Sequence, residues 1–197
     1  MTVPLMIPQT QTTKRLDSDY YVEGYATTFN SPYQLAEYNG ISYNEQVDSN
    51  ALADADLSDV IFQYNHKGTV FARNKMGNGK QPSLIVEPRD SGLFVAADLG
   101  LLDEARQLYT AIQKGLIYKM SWAFRVAEDS YDKQTRTRTI RSIKKVYDVS
   151  AVSMPANQST NISARSWVDA IIETETRESL EKRAQLLKLS IEMEELI

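Results

Sequence analysis

Apolar and polar positions alternate over several short stretches of the chain, the period-two pattern of half-buried strands. Residues 41–47 (ISYNEQV) alternate apolar and polar side chains. Residues 20–29 (YYVEGYATTF) are aromatic and β-branched, with Gly24 inside as a candidate bulge. Residues 60–64 (VIFQY) form a short apolar run. Residues 83–87 and 93–99 are two more strand candidates, joined by the turn formers Pro88-Arg89-Asp90-Ser91-Gly92. Residues 74–81 (NKMGNGKQ) read as a polar loop. The last strand signals are 118–126 (YKMSWAFRV), 137–145 (TRTIRSIKK) and 146–154 (VYDVSAVSM). The final two are candidates for one long bent strand, and Pro155-Ala156-Asn157 ends the series.

Two segments carry the helical period instead. In residues 102–114 (LDEARQLYTAIQK), Ala105, Leu108, Ala111 and Ile112 share a face. Asp103 and Glu104 open this helix, Lys114 closes it and Gly115 follows as a C-cap, an order that matches the helix dipole. Toward the C-terminus Leu180, Ala184, Leu187 and Ile191 recur at helical spacing, and no Gly or Pro interrupts residues 158–197. Ile171 and Ile172 begin this apolar set, and Leu189, Met193, Leu196 and Ile197 widen it. Such a helix packs on its own domain or pairs with another chain.

Charge sharpens the boundary. Residues 166–197 hold 4 of the 22 basic and 8 of the 26 acidic side chains, and so account for the whole net charge of −4. The sequence therefore divides near Arg165, into a domain over 1–165 and an acidic amphipathic tail over 166–197. A length of 197 residues suits one domain, or a domain plus an appendage. No apolar run is long enough to span a membrane, and residues 1–7 lack the pattern of a signal peptide.

Composition excludes chemistry more firmly than it suggests any. The chain has no Cys and one His. A thiol nucleophile, a disulfide framework and a Cys-based metal site are all ruled out. A Ser-His-His arrangement within one chain is impossible, and a Ser-His-acid arrangement survives only through His66. That residue sits in Asn65-His66-Lys67-Gly68, where a strand opens into a turn. This is a usual place for a catalytic side chain, and an imidazole titrates near neutrality as a general base must. A surface loop His is the plain alternative. Ser121, in Met120-Ser121-Trp122-Ala123-Phe124, shares a strand face with Ala123, opposite three bulky apolar residues. It is a candidate nucleophile or an ordinary solvent-facing Ser. Asp148 lies in Val146-Tyr147-Asp148-Val149-Ser150, where alternation groups Val146, Asp148 and Ser150. A buried acid there needs a partner such as His66, whereas an exposed strand acid needs none.

Other signals are weaker. Asp54, Asp56 and Asp59 lack the Gly and Glu of a calcium loop and read as a solvated helix or turn. Gly77-Asn78-Gly79-Lys80 lacks the Ser/Thr and upstream Gly of a phosphate loop. Asn157-Gln158-Ser159 and Asn161-Ile162-Ser163 are formal glycosylation sequons without a secretory context. The basic run Lys133, Arg136, Arg138, Arg141, Lys144 and Lys145 could touch nucleic acid. Its TRTRT alternation instead fits one exposed strand face with Thr between, which weighs against nucleic acid as a partner.

Taken together, five blocks carry a resemblance: EGYATTF at 23–29, FQYNHKG at 62–68, SGLFVAADL at 91–99, IQKGLIYKMSWAF at 112–124 and YDVSAVSMPAN at 147–157. In this order they resemble the prohead (capsid maturation) serine protease family of tailed phages, whose fold is similar to herpesvirus assemblin. The resemblance implies a mainly β fold with α, an assemblin-like β-barrel flanked by helices, followed by the C-terminal helical tail. It also implies that His66 is the active-site base, Ser121 the nucleophile and Asp148 the third member, where relatives tend to carry Glu. Two positions depart from the family pattern: Lys67 stands where Asp is common, and Ala123 replaces the usual Gly. By similarity to assemblin, the turn at 155–157 offers the oxyanion donors. Pro155 has no N–H, which leaves Ala156 and Asn157. The implied activity is a serine endopeptidase of prohead maturation. It would cleave scaffold segments of capsid proteins and itself, inside the assembling prohead in the host cytoplasm. Self-association is implied, and no cofactor, metal or membrane. A non-catalytic β-barrel that binds capsid or scaffold is the alternative.

Overall fold

The computed structural model describes residues 15–153 and 162–194, with side chains over 15–153 and 167–189. The described elements run β1 (Tyr21–Thr28), β2 (Tyr33–Tyr38), β3 (Ile41–Val47), β4 (Ile61–Tyr64), β5 (Lys67–Arg73), β6 (Leu84–Arg89), β7 (Gly92–Asp98), α1 (Asp103–Gln113), β8 (Lys119–Asp132), β9 (Thr137–Val152) and α2 (Ile162–Glu194). Among the described residues the protein is mainly β with two α-helices. Its contacts divide it into two units, Met1–Asn157 and Gln158–Ile197. Among the described residues no helix is long and apolar enough to cross a membrane.

The strands form two sheets. One is antiparallel, in the order β1-β7-β6. In it β6 is an edge strand, which is why Pro88, with no N–H to donate, is tolerated there. The other has the order β2-β3-β9-β4-β5, with β8 on the opposite edge of β9. The sheets share one core. Val22, Leu84, Leu93, Val95 and Ala97 of the first meet Val47, Phe62, Met120, Ile140, Ile143, Val146 and Val149 of the second, and α1 adds Ala105, Leu108 and Ile112. Strand β1 lies alongside β8. At the other seam Ser83 donates its N–H to the Arg73 carbonyl at 3.1 Å. No ladder of pairs crosses either seam, so among the described residues the hydrogen bonding does not close into a ring.

The 16-residue β9 organises the larger sheet. Along one edge it takes β3 in parallel at Thr137–Ile140 and β4 in parallel at Asp148–Ala151, end to end. Residues 48–60 fill the gap between them through backbone bonds. Asp48 N–H reaches the Ile140 carbonyl at 3.0 Å, Ile143 N–H reaches Ala51 at 2.8 Å and Val146 N–H reaches Asp56 at 3.1 Å. On its other edge β9 pairs antiparallel with the 14-residue β8.

That ladder is bulged, and the bulges reset which side chains face inward. On β8 Met120, Trp122, Phe124 and Val126 recur every second residue and pack on the core. Their partners on β9 are Ala151, Val149, Val146 and Ile143, spaced by two and then by three. Tyr147 and Lys144 are the extra residues, left unpaired between their neighbours. A simple alternation puts Val146 on the face of Asp148. Because Tyr147 is bulged out and half-exposed, Val146 instead joins Val149 in the core, and Asp148 and Ser150 point the other way.

Several expectations shift for local reasons. The bulge expected at Gly24 falls two residues later, at Ala26 between Tyr25 and Thr27, while Gly24 pairs regularly with Val95. The glycine the fold demands is Gly92, with φ of +155°, where a Cβ would stand 2.0 Å from the Thr27 carbonyl oxygen. Strands β2 and β5 do not stand out in sequence, since both are edges with exposed positions that break the alternation. Helix α1 ends as expected, in a Schellman cap. Gly115, at φ 72°, donates to Ile112 at 2.9 Å, and Leu116 donates to Ala111 at 2.9 Å.

The basic run is not one exposed face. Arg138 is buried, and its guanidinium binds Glu45 at 3.0 Å and also Asp129. Tyr33 donates its hydroxyl to the same Glu45. Lys145 binds Asp56 at 2.6 Å, and Arg141 lies 3.6 Å from Asp48. Burial holds the Glu45 carboxyl above its ordinary range, opposed by the bonds from Tyr33 and Arg138. Removing Arg138 leaves that carboxylate buried without its cation. We therefore expect Arg138→Met to lower the unfolding free energy by about 3–5 kcal/mol at neutral pH. A raised folded-state pKa stabilises below the unfolded value and loses that stabilisation as pH rises through the folded value. The deficit should thus shrink as pH falls through the carboxylate range, which urea melts at several pH values will check.

Candidate active site

The β4–β5 connection is a two-residue hairpin turn. Tyr64 pairs with Lys67 across it, and its central residues Asn65 and His66 have φ of 53° and 56°. Positive φ at both positions is what a type I′ hairpin turn requires. Asn adopts it readily and His less so. Gly68 follows at φ 76° and completes the reversal.

Bonds to β9 hold the turn in place. Asn65 N–H reaches the Ala151 carbonyl at 2.9 Å. Its side-chain oxygen accepts from the Ser153 N–H at 3.0 Å and hydroxyl at 3.2 Å. His66 N–H reaches Ser150 Oγ at 3.3 Å. Its imidazole Nδ1 lies 2.6 Å from Asp148 Oδ1. With a carboxylate on Nδ1, that nitrogen carries the proton and Nε2 is turned away from the acid as the basic atom. The acid is well hidden, at 10% side-chain exposure, while the His is open at 28%. A base must reach substrate and its orienting acid need not, so the exposures suit those two roles.

Ser121 belongs to the same face by register. On β8 and β9 Ser121 stands opposite Ser150, and Ala123 opposite Asp148. On the other side β4 places Gln63 beside Ser150 and Ile61 beside Asp148. Directly opposed residues share a face, with Cβ atoms about 4.5–5.5 Å apart. The strand under Ser121 is anchored from behind, where Met120 is buried and Trp122 stacks on Phe124 with ring centroids 4.1 Å apart.

The structure thus brings His66 and Asp148 into direct contact and sets Ser121 on their face. Among the described residues no hydrogen bond joins Ser121 to His66. Ala156 and Asn157 lie outside the described residues. Ser150 is fully buried, and its hydroxyl donates to Asp148 Oδ1 at 2.8 Å. Ser153 is tied to Asn65. The tethering residues Asn65 and Ser150 did not stand out as such in sequence. The signal was there for Asn65, since an Asn-led dipeptide between two strand runs marks a type I′ turn.

A family model described as the caudovirus prohead serine protease matches residues 9–174. The chain is similar to a protein named prohead protease from Enterobacteria phage HK97, with 31% identity over 150 residues. That match covers 76% of this chain and 61% of the relative, so the chain spans less than two thirds of the relative's length. No solved structure matches the chain.

The turn itself is testable. Asn65→Ala removes the acceptor for Ser153 and puts a residue without a polar side chain into the left-handed region. The expected loss is about 1–3 kcal/mol of stability, read from denaturant midpoints.

Proposed function

Because the chain belongs to the prohead serine protease family of tailed phages, we propose that it is the serine endopeptidase of prohead maturation. In this reading it cleaves scaffold segments of capsid proteins, and itself, within the assembling prohead in the host cytoplasm. The observation that carries the reading is the 2.6 Å contact between His66 and Asp148, made on the face that holds Ser121. A module that only bound capsid would have no use for a partly exposed imidazole, on a backbone of positive φ, aligned by a hidden acid.

The residues then take these roles. His66 Nε2 removes the proton from Ser121 Oγ as that oxygen attacks the scissile carbonyl, and later delivers it to the leaving amine. Asp148 fixes the ring by accepting from Nδ1 and stabilises the imidazolium while it exists. Backbone N–H groups of Ala156 or Asn157 receive the oxyanion, at about 2.7–4 kcal/mol of transition-state stabilisation per donor. Approach of substrate brings Ser121 and His66 into bonding contact, since catalytic bonds are often long before substrate arrives. Ala123, opposite Asp148, adds a methyl beside the acid and narrows the floor of the site.

The assemblin-like barrel is part of the same proposal. The cyclic order β1-β7-β6-β5-β4-β9-β8 is supported by the shared core and by the two seams at β5/β6 and β8/β1. The domain division near Arg165, with the tail as a segment for self-association or removal, also belongs to this proposal. Leu180, Leu186, Leu187 and Leu189 are each more than half exposed on α2, which supports association.

Co-expression with the capsid protein of the same phage tests the activity. Wild type should shorten the capsid protein on gels. Ser121→Ala and His66→Ala should each abolish shortening while keeping the wild-type circular dichroism. The double variant should be no worse than either single one, because residues acting as a unit are not additive. Undiminished cleavage by either single variant would refute the assignment.

A further inference from the structure

We infer that Ser150 is a positioning residue of this site: its hydroxyl locks the acid and the base into one geometry. This deepens the reading of the chain as a His-dependent serine protease and rests on it. Ser150 Oγ donates to Asp148 Oδ1 at 2.8 Å and accepts the backbone N–H of His66 at 3.3 Å. A hydroxyl has one donor and two acceptor sites, so both bonds form at once. The oxygen it binds on Asp148 is the same one that meets His66 Nδ1. One side chain therefore fixes the carboxylate oxygen and the main chain of the residue whose ring that oxygen aligns.

Placement makes this more than a buried polar contact. Ser150 is 0% exposed, so no bulk water replaces its hydroxyl once it is removed. Its backbone is held centrally, between Gln63 of β4 and Ser121 of β8. Without the hydroxyl, Asp148 loses one of two bonds on Oδ1 and its carboxylate is freer to rotate. The His66 turn, in a left-handed conformation, loses one of its tethers. Both changes loosen the Nδ1 contact.

Two readouts separate positioning from mere packing. First, Ser150→Ala should lower kcat about 10- to 100-fold with KM unchanged, on the capsid protein that wild type cleaves. Second, the chain has one His, so its Nδ1–H proton resonance is assigned without ambiguity. In Ser121→Ala protein, which cannot digest itself, that resonance should lie downfield of the amides. Adding Ser150→Ala should shift and broaden it while the amide spectrum stays dispersed. If Ser150→Ala does not fold, Ser150→Cys keeps the shape with a weaker donor and should give the same changes. A kcat within twofold of wild type together with an unmoved resonance would overturn the inference. The resonance needs no proteolysis, so absence of cleavage by wild type would count against the protease reading alone.

Discussion

The ladder between β8 and β9 is the constraint on which the rest depends. Two antiparallel strands in perfect register would keep period two on both sides. Here β8 keeps it from Met120 to Val126 and takes one extra residue at Ala127, while β9 accommodates extra residues at Arg141, Lys144 and Tyr147. Each bulge increases local twist and bends the strand that carries it. A bent β9 presents one edge on which β3 and β4 sit end to end and the other on which β8 runs along its length. The core residues Ile140, Ile143, Val146 and Val149 then follow at a spacing of three. A strand with that spacing is buried along one side only because the bulges return every third residue to the core.

The same device makes the site. Val146 and Asp148 are two apart and in a regular strand would share a face, which would drive a carboxylate into the apolar core. The extra residue at Tyr147 lets Val146 stay inside and turns Asp148 and Ser150 to the opposite side. Bulges next to functional sites re-aim side chains in this way. Across from it, β8 shows Ser121 and Ala123 to the same side while Trp122 and Phe124 hold the core. Chemistry and packing are thus assigned to the two faces of one pair of strands.

The legible parts of the sequence were those with strong local patterns. Strand β3 and helix α1 follow from alternation and from capping residues, and the Gly115 cap follows from its position after the last apolar turn. His66 and Asp148 were also legible, the first as the single imidazole and the second as an acid in an apolar stretch. What the pattern could not carry was non-local. Bulges are properties of a pair of strands, so a reading of 146–152 alone placed Val146 on the wrong side. The edge strands β2 and β5 are defined by hydrogen bonds to neighbours rather than by apolar content. Arg138 looked like one of an exposed basic row, and nothing near it in sequence shows the two carboxylates, Glu45 and Asp129, that draw it inside.

The energetics of the Asn65-His66 turn explain why base and scaffold cannot be treated separately. Each of the two non-glycine residues held in the left-handed region, Asn65 and His66, costs about 1–3 kcal/mol. Against this stand the bond from His66 N–H to Ser150, the ring contact to Asp148 and the Asn65 bonds to Ala151 and Ser153. A neutral hydrogen bond contributes about 0.5–1.5 kcal/mol and one to a charged group about 1.5–3. The tethers therefore outweigh the strain, but only as a set, and the charge-assisted bond to Asp148 is the strongest of them. It follows that the carboxylate does more than orient an imidazole whose backbone is already fixed. It helps to hold that backbone in a conformation the His would otherwise leave. In a chain with a single His, the acid that orients the base is also one of the struts that keep it on the face of Ser121.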